Sequence, residues 1–118
     1  MYNFDDVIIF DVIITNVGNN YLAETSTYVC PRDGLYVLSI TLYNVNDYWM
    51  AGDLMHGNKQ LATARTDRET YNQGSVTAVI ECDAGEHVWV RSKGGVYKVE
   101  GSTTAKYNIF SGFLLQSY

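Results

Sequence analysis

The chain has 118 residues, of which eight are basic and thirteen acidic, for a net charge of −5 at pH 7. That balance repels a phosphate backbone and an anionic lipid surface, so it argues against nucleic acid and membranes as partners. The length suits one domain over residues 1–118, burying about two thirds of the surface its unfolded form exposes and needing neither a metal nor a disulfide to fold.

Apolar residues recur with period two along the chain, and no window carries a helical stripe. The first strand predicted is Val7 to Thr15, with the strand-sized run Val7-Ile8-Ile9-Phe10, far too short to cross a bilayer. Asp5 and Asp6 stand where a secretory leader would be basic and then apolar, so no signal peptide is read. Val17-Gly18-Asn19-Asn20 signals a turn, and Tyr28 to Cys30 a short strand.

Pro31-Arg32-Asp33-Gly34 turns into a long strand over Gly34 to Tyr43. One of its faces carries Tyr36, Leu38, Ile40 and Leu42, and the other Leu35, Val37, Ser39, Thr41 and Tyr43, as in a strand within a sandwich. Trp49 to His56 and Lys59 to Thr63 follow, joined by the turn His56-Gly57-Asn58. Ser75 to Cys82 alternates cleanly, with Val76, Ala78, Ile80 and Cys82 inward. Asp83-Ala84-Gly85-Glu86 is a short hairpin loop whose glycine takes a positive φ. Glu86 to Arg91 then sets Val88 and Val90 against His87, Trp89 and Arg91, and a further strand is predicted at Gly95 to Val99.

The last strand, Tyr107 to Leu115, is an apolar run interrupted by Gly112. Left exposed it would recruit other chains, so it is predicted to be covered by the rest of the sheet or by another subunit. Tyr107, Phe110, Gly112 and Phe113 are its candidates for core or subunit interface, and Gly112 marks a bulge or the close approach of a neighbour. Together these elements give about eight to ten short strands, an all-β jelly-roll β-sandwich of two antiparallel sheets.

Chemistry-bearing patterns are sparse. His56 and His87 belong to no metal-ligand spacing and read as surface or strand histidines. No serine lies in a nucleophile elbow, and Gly94-Gly95 reads as a turn, so no catalytic residue is assigned and the chain is not read as an enzyme. Cys30 and Cys82 match neither a zinc pair nor a redox motif. Their parity permits one disulfide, but buried free thiols acting as small hydrophobes are the favoured reading.

Asp53 and Asp67 are the carboxylates best suited to a ligand role, Asp67 because Thr66 to Asn72 is rich in the oxygen donors a hard cation takes. Against that stands a solvated loop with its own Asp/Arg pairing. Arg65, Asp67, Arg68, Tyr71 and Asn72 also form a mixture able to stack on a sugar ring and hydrogen-bond its hydroxyls. Ten tyrosines against four phenylalanines favour a binding protein over a bare scaffold.

Three segments resemble the globular head of the complement C1q family, within the C1q and tumour necrosis factor superfamily. Val7 to Tyr21 is similar to the family's early apolar strand and its T-N-x-G-x-x-Y turn, and Tyr28 to Tyr36 to its F-x-C-P-x-x-G-x-Y entry. Gln73-Gly74-Ser75-Val76, Ala84 to Val90 and Phe110 to Leu115 agree in the family's order. The resemblance implies a C1q/tumour necrosis factor-like jelly roll that assembles as a homotrimer, is extracellular, and recognises targets without catalysis.

As the function so implied we take a trimeric innate-immune or lectin-like pattern-recognition module, binding glycans or microbial surfaces. The alternative is a protein ligand or matrix component that binds a protein receptor. No cofactor is called for, and calcium at Asp67 is the one metal the resemblance allows. Two of the family's parts are absent, the collagen-like stalk and an A-F-S-like first strand, whose place Met1 to Asp6 are expected to fill in part.

Overall fold

A computed structural model describes residues 6–8, 10, 18–44, 49–67, 72–94 and 108–118. Eight strands follow in chain order: β1 (Tyr21–Leu22), β2 (Thr27–Val29), β3 (Gly34–Asn44), β4 (Ala51–His56), β5 (Lys59–Arg65), β6 (Asn72–Cys82), β7 (His87–Gly94) and β8 (Ile109–Ser117). They form a five-stranded sheet, β1-β2-β7-β4-β5, and a three-stranded sheet, β6-β3-β8, with every pairing antiparallel. The chain is an all-β sandwich, and no described residue is helical.

Alternation decides which face each strand buries. Tyr36, Leu38, Ile40 and Leu42 of β3 are fully buried, and Ile80 and Cys82 of β6 meet them in the core. The opposite wall is Leu54 of β4 and Val88 and Val90 of β7, with Ile8, Cys30, Met50 and Ala64 filling the margins. Burying each large aliphatic of this set is worth about 1.5–3 kcal/mol. Tyr36 enters the core without an orphaned hydroxyl: its OH donates to the Arg32 carbonyl at 2.6 Å and accepts from the Arg32 amide at 3.1 Å. The predicted turn at Gly85 has φ 87°, but its four-residue connection, residues 83–86, is not a hairpin: it crosses from β6 in one sheet to β7 in the other.

Part of the tyrosine excess therefore serves the core. Tyr28 packs edge-on against Tyr36 at 6.1 Å between centroids, and burial raises its phenol pKa above the ordinary value. Tyr21 donates to the Phe10 carbonyl at 2.8 Å and packs on Phe110.

Near the start of the chain, the Asp6 carbonyl accepts from Ser92, Val7 bridges Arg91 and Ile8 N–H donates to Val90. Residues 6–8 thus run along β7, the central strand of the five-stranded sheet, beyond the end of its pairing with β2.

A further expectation is corrected. Cys30 and Cys82 are not free thiols but a disulfide, with Cα atoms 6.4 Å apart and 52 residues between them in sequence. The β6–β7 connection sets up this pairing, because Gly85 N–H donates to the Cys30 carbonyl and Cys30 N–H to the Glu86 carbonyl, at 2.8 and 2.9 Å.

The last strand, β8, puts one face on the chain's own core and leaves the other to solvent. Phe110 and Leu114 turn inward and are half-buried, whereas Ile109, Phe113 and Leu115 are about half exposed or more, at 47%, 56% and 56%. Met1 to Asp5, the rest of the predicted strand Val7 to Thr15, the strand Gly95 to Val99 and Tyr107 lie outside the described residues.

Candidate functional site

The connections from β3 to β4, β5 to β6 and β7 to β8 each cross from one sheet to the other, and all leave from the same end of the sandwich. The register brings their anchors together: Asn44 pairs with Asn72, and Ala51 with both Arg65 and Gly94. The predicted binding stretch, Arg65 to Asn72, is the middle connection of this end.

Thr66 organises it. Its hydroxyl accepts from the Met50 amide at 3.1 Å and its own amide donates to the Met50 carbonyl at 2.9 Å, with both residues buried. This bracket holds residue 49 beside residue 65, and the Arg65 guanidinium lies over the Trp49 ring, 5.0 Å from its centroid. A cation so placed gains about 0.5–1 kcal/mol at an exposed site and is held in one orientation. Arg65 and Asp67 are exposed and Trp49 half-buried, so the pair presents to solvent a cation fixed over one face of the ring.

Arg65 and Asp67 lie together at one exposed end, whereas Arg68 and Tyr71 and the side chain of Asn72 lie outside the described residues. Trp49 was not among the predicted site residues. The signal available was an aromatic at the edge of the polar run Asn44 to Tyr48, but nothing in the sequence linked it to Arg65.

Asp53, the second predicted ligand carboxylate, has another role. It is fully buried on β4, where Oδ1 accepts from Gln60 Nε2 and Thr63 Oγ1 at 3.0 and 2.6 Å. Oδ2 accepts from Arg91 Nε and Nη2 at 3.2 and 2.8 Å, with Lys93 Nζ at 3.5 Å. Burial raises its pKa, but the Thr63 and Arg91 hydrogen bonds and the Lys93 and Arg91 charges outweigh that and hold it below the usual carboxylate range. Its oxygens are committed to the sheet.

At the opposite end, where the β4–β5 and β6–β7 turns meet, His56 Nε2 lies 3.0 Å from Glu86 Oε1. The Asp83 amide donates to that same oxygen at 2.7 Å, and this bond first, then His56, lowers the Glu86 pKa.

The outer face of the three-stranded sheet is the remaining surface of note. Val79, Val37 and Phe113 stand in one register row across β6, β3 and β8, with Val79 60% and Phe113 56% exposed. Further along come rows of hydroxyls, where Ser39 pairs with Ser111 and Thr41 with Ser75, each at 2.8 Å between oxygens. The face is thus divided into an apolar belt and a hydroxyl band.

The family model described as the C1q domain matches residues 1–115. The chain belongs to the C1q domain family. Caprin-2 of Danio rerio is 31% identical over 126 aligned positions, covering 94% of this chain and 12% of that protein. One of the human complement C1q subcomponent polypeptides is 31% identical over 117 positions, covering 94% of this chain and 44% of that one. The chain therefore spans less than half the length of either curated relative. Among solved structures, the globular domain of zebrafish complement 1qA superposes with a TM-score of 0.74 over 98% of this chain and 89% of that one. At 14% identity that likeness establishes the jelly-roll fold alone. No helix among the described residues is long and apolar enough to cross a membrane.

Proposed function

We propose that this C1q domain is a non-catalytic recognition module that works as an extracellular homotrimer, presenting three copies of the Trp49–Arg65 end to glycans or microbial surfaces. Membership of the C1q family over residues 1–115 is the observation that carries this reading. The exposed belt of Val79, Val37 and Phe113 supports the trimer, since an apolar row of this kind on a sheet face is stable in water only when another surface covers it. The Cys30–Cys82 disulfide fits an oxidising, extracellular setting.

In the recognition end, Trp49 fixes the Arg65 guanidinium from below while Arg65 donates to the hydroxyls or acidic groups of a sugar. Arg68, Tyr71 and Asn72, from the same connection, complete the contact set, and Asp67 is the residue that would answer to calcium. Each single site is weak, and the trimer raises the apparent affinity by multivalency.

The direct test is a glycan and bacterial-surface binding screen of the purified protein, with and without calcium. Saturable binding to a glycan class, weakened by Arg65→Met, supports the reading. Capture of a single protein partner that resists competing sugars replaces it with the protein-ligand alternative.

A further inference from the structure

The end of the sandwich opposite the proposed recognition end holds a second constellation. His56 from the end of β4, Cys82 from the end of β6 and Glu86 from the β6–β7 connection place their ligand-type atoms within 4.8 Å of one another. Cys30 belongs to the same knot, since its sulfur is bonded to Cys82 and its backbone to Gly85 and Glu86. The two sulfurs are buried, with Cys30 and Cys82 at 0% and 1% exposure, while the His56 and Glu86 side chains are 17% and 45% exposed and form the way in from solvent.

We infer that the reduced chain binds a zinc-class divalent cation through Cys82, Cys30, His56 and Glu86, so that the disulfide and the metal are alternative occupants of one site. The donor set is two thiolates, one imidazole and one carboxylate, a mixture that suits a borderline-soft ion of tetrahedral preference. Bond lengths of about 2.0–2.3 Å put neighbouring ligand atoms about 3.4–3.8 Å apart, so the His56, Cys82 and Glu86 atoms close on an ion with shifts of about 1 Å, and the Cys30 sulfur, outside that cluster, turns toward it once the S–S bond is cut. Glu86 is already oriented by the Asp83 amide, as a metal-ligating carboxylate needs to be.

The chemistry balances in two steps. A dithiol reductant gives two electrons and two protons to the Cys30–Cys82 bond, leaving two thiols and the cyclic disulfide of the reductant. Metal binding then displaces those two thiol protons to solvent. In the oxidised chain both sulfurs are spent on each other and the site is closed.

The test uses the full chain, reduced with dithiothreitol and desalted without oxygen, and titrated with cobalt(II) as a spectroscopic probe. The expected result is one cobalt per chain, with thiolate charge-transfer absorption in the near ultraviolet and tetrahedral visible bands that zinc abolishes. The oxidised chain shows neither, and His56→Ala and Glu86→Gln each weaken cobalt binding at least about tenfold. Absence of the bands in the reduced chain, or wild-type affinity in both variants, overturns the inference. If reduction unfolds the sheet, zinc is added while circular dichroism is followed. Recovery of the β signal in the wild type and not in His56→Ala supports the site, and no recovery overturns it.

Discussion

Gly112 and Leu38 face each other across the β3–β8 ladder so closely that a Cβ on Gly112 would lie 2.5 Å from Leu38 Cδ2 and 3.2 Å from the Val37 carbonyl. Leu38 is fully buried and has no free direction in which to yield. Gly112→Val should therefore lower stability by about 2 kcal/mol and the melting temperature by about 8 °C. Thermal unfolding followed by circular dichroism checks this, and a parental melting temperature would mean that β8 is not tightly docked on β3.

The Cys30–Cys82 bond closes a loop across 52 positions. On a chain-entropy account such a cross-link is worth about 4 kcal/mol. Cys30→Ala combined with Cys82→Ala is expected to lose about that amount, read from the denaturant midpoint at neutral pH.

Asp53 gives the stability its acid limb. Its folded pKa lies below the ordinary value of about 3.9, so its contribution is fully present above that pH and is lost as pH falls through the folded pKa. Urea midpoints measured from pH 7 downward should be flat near neutrality and fall below about pH 4. Asp53→Asn should remove its share of that acid slope and lower stability at pH 7 by about 2 kcal/mol, since Arg91 and Lys93 lose their buried partner.

Arg65→Met and Trp49→Leu test the recognition end. Each should weaken binding to whichever glycan the screen identifies by about tenfold, while the exposed Arg65 change leaves the melting temperature within about 2 °C. Isothermal titration paired with thermal unfolding separates loss of contact from loss of fold.

Much of the fold was legible from period-two patterns. Val76, Ala78, Ile80 and Cys82 point inward as read, and so do Val88 and Val90, because one face of each strand is buried and the other wet. Gly85 was legible for its positive φ. What failed depended on register or on a second surface. Asp53 looked like a ligand because its partner Arg91 is 38 residues away and known only through the β4–β7 pairing. Cys30 and Cys82 meet because the β6–β7 connection folds back onto Cys30, and Trp49 meets Arg65 because Thr66 grips Met50; neither leaves a local pattern. The apolar run of β8 packs Phe110 and Leu114 on the core. Period two could not say that its Phe113 face turns away from the chain's own core.

That uncovered face gives the central claim its most direct measurement, the mass of the purified chain by light scattering at micromolar concentration. A trimer predicts three times the 13.3 kDa chain mass, about 40 kDa, with Phe113→Asp shifting the population toward the monomer. A wild-type mass of 13.3 kDa would contradict the account.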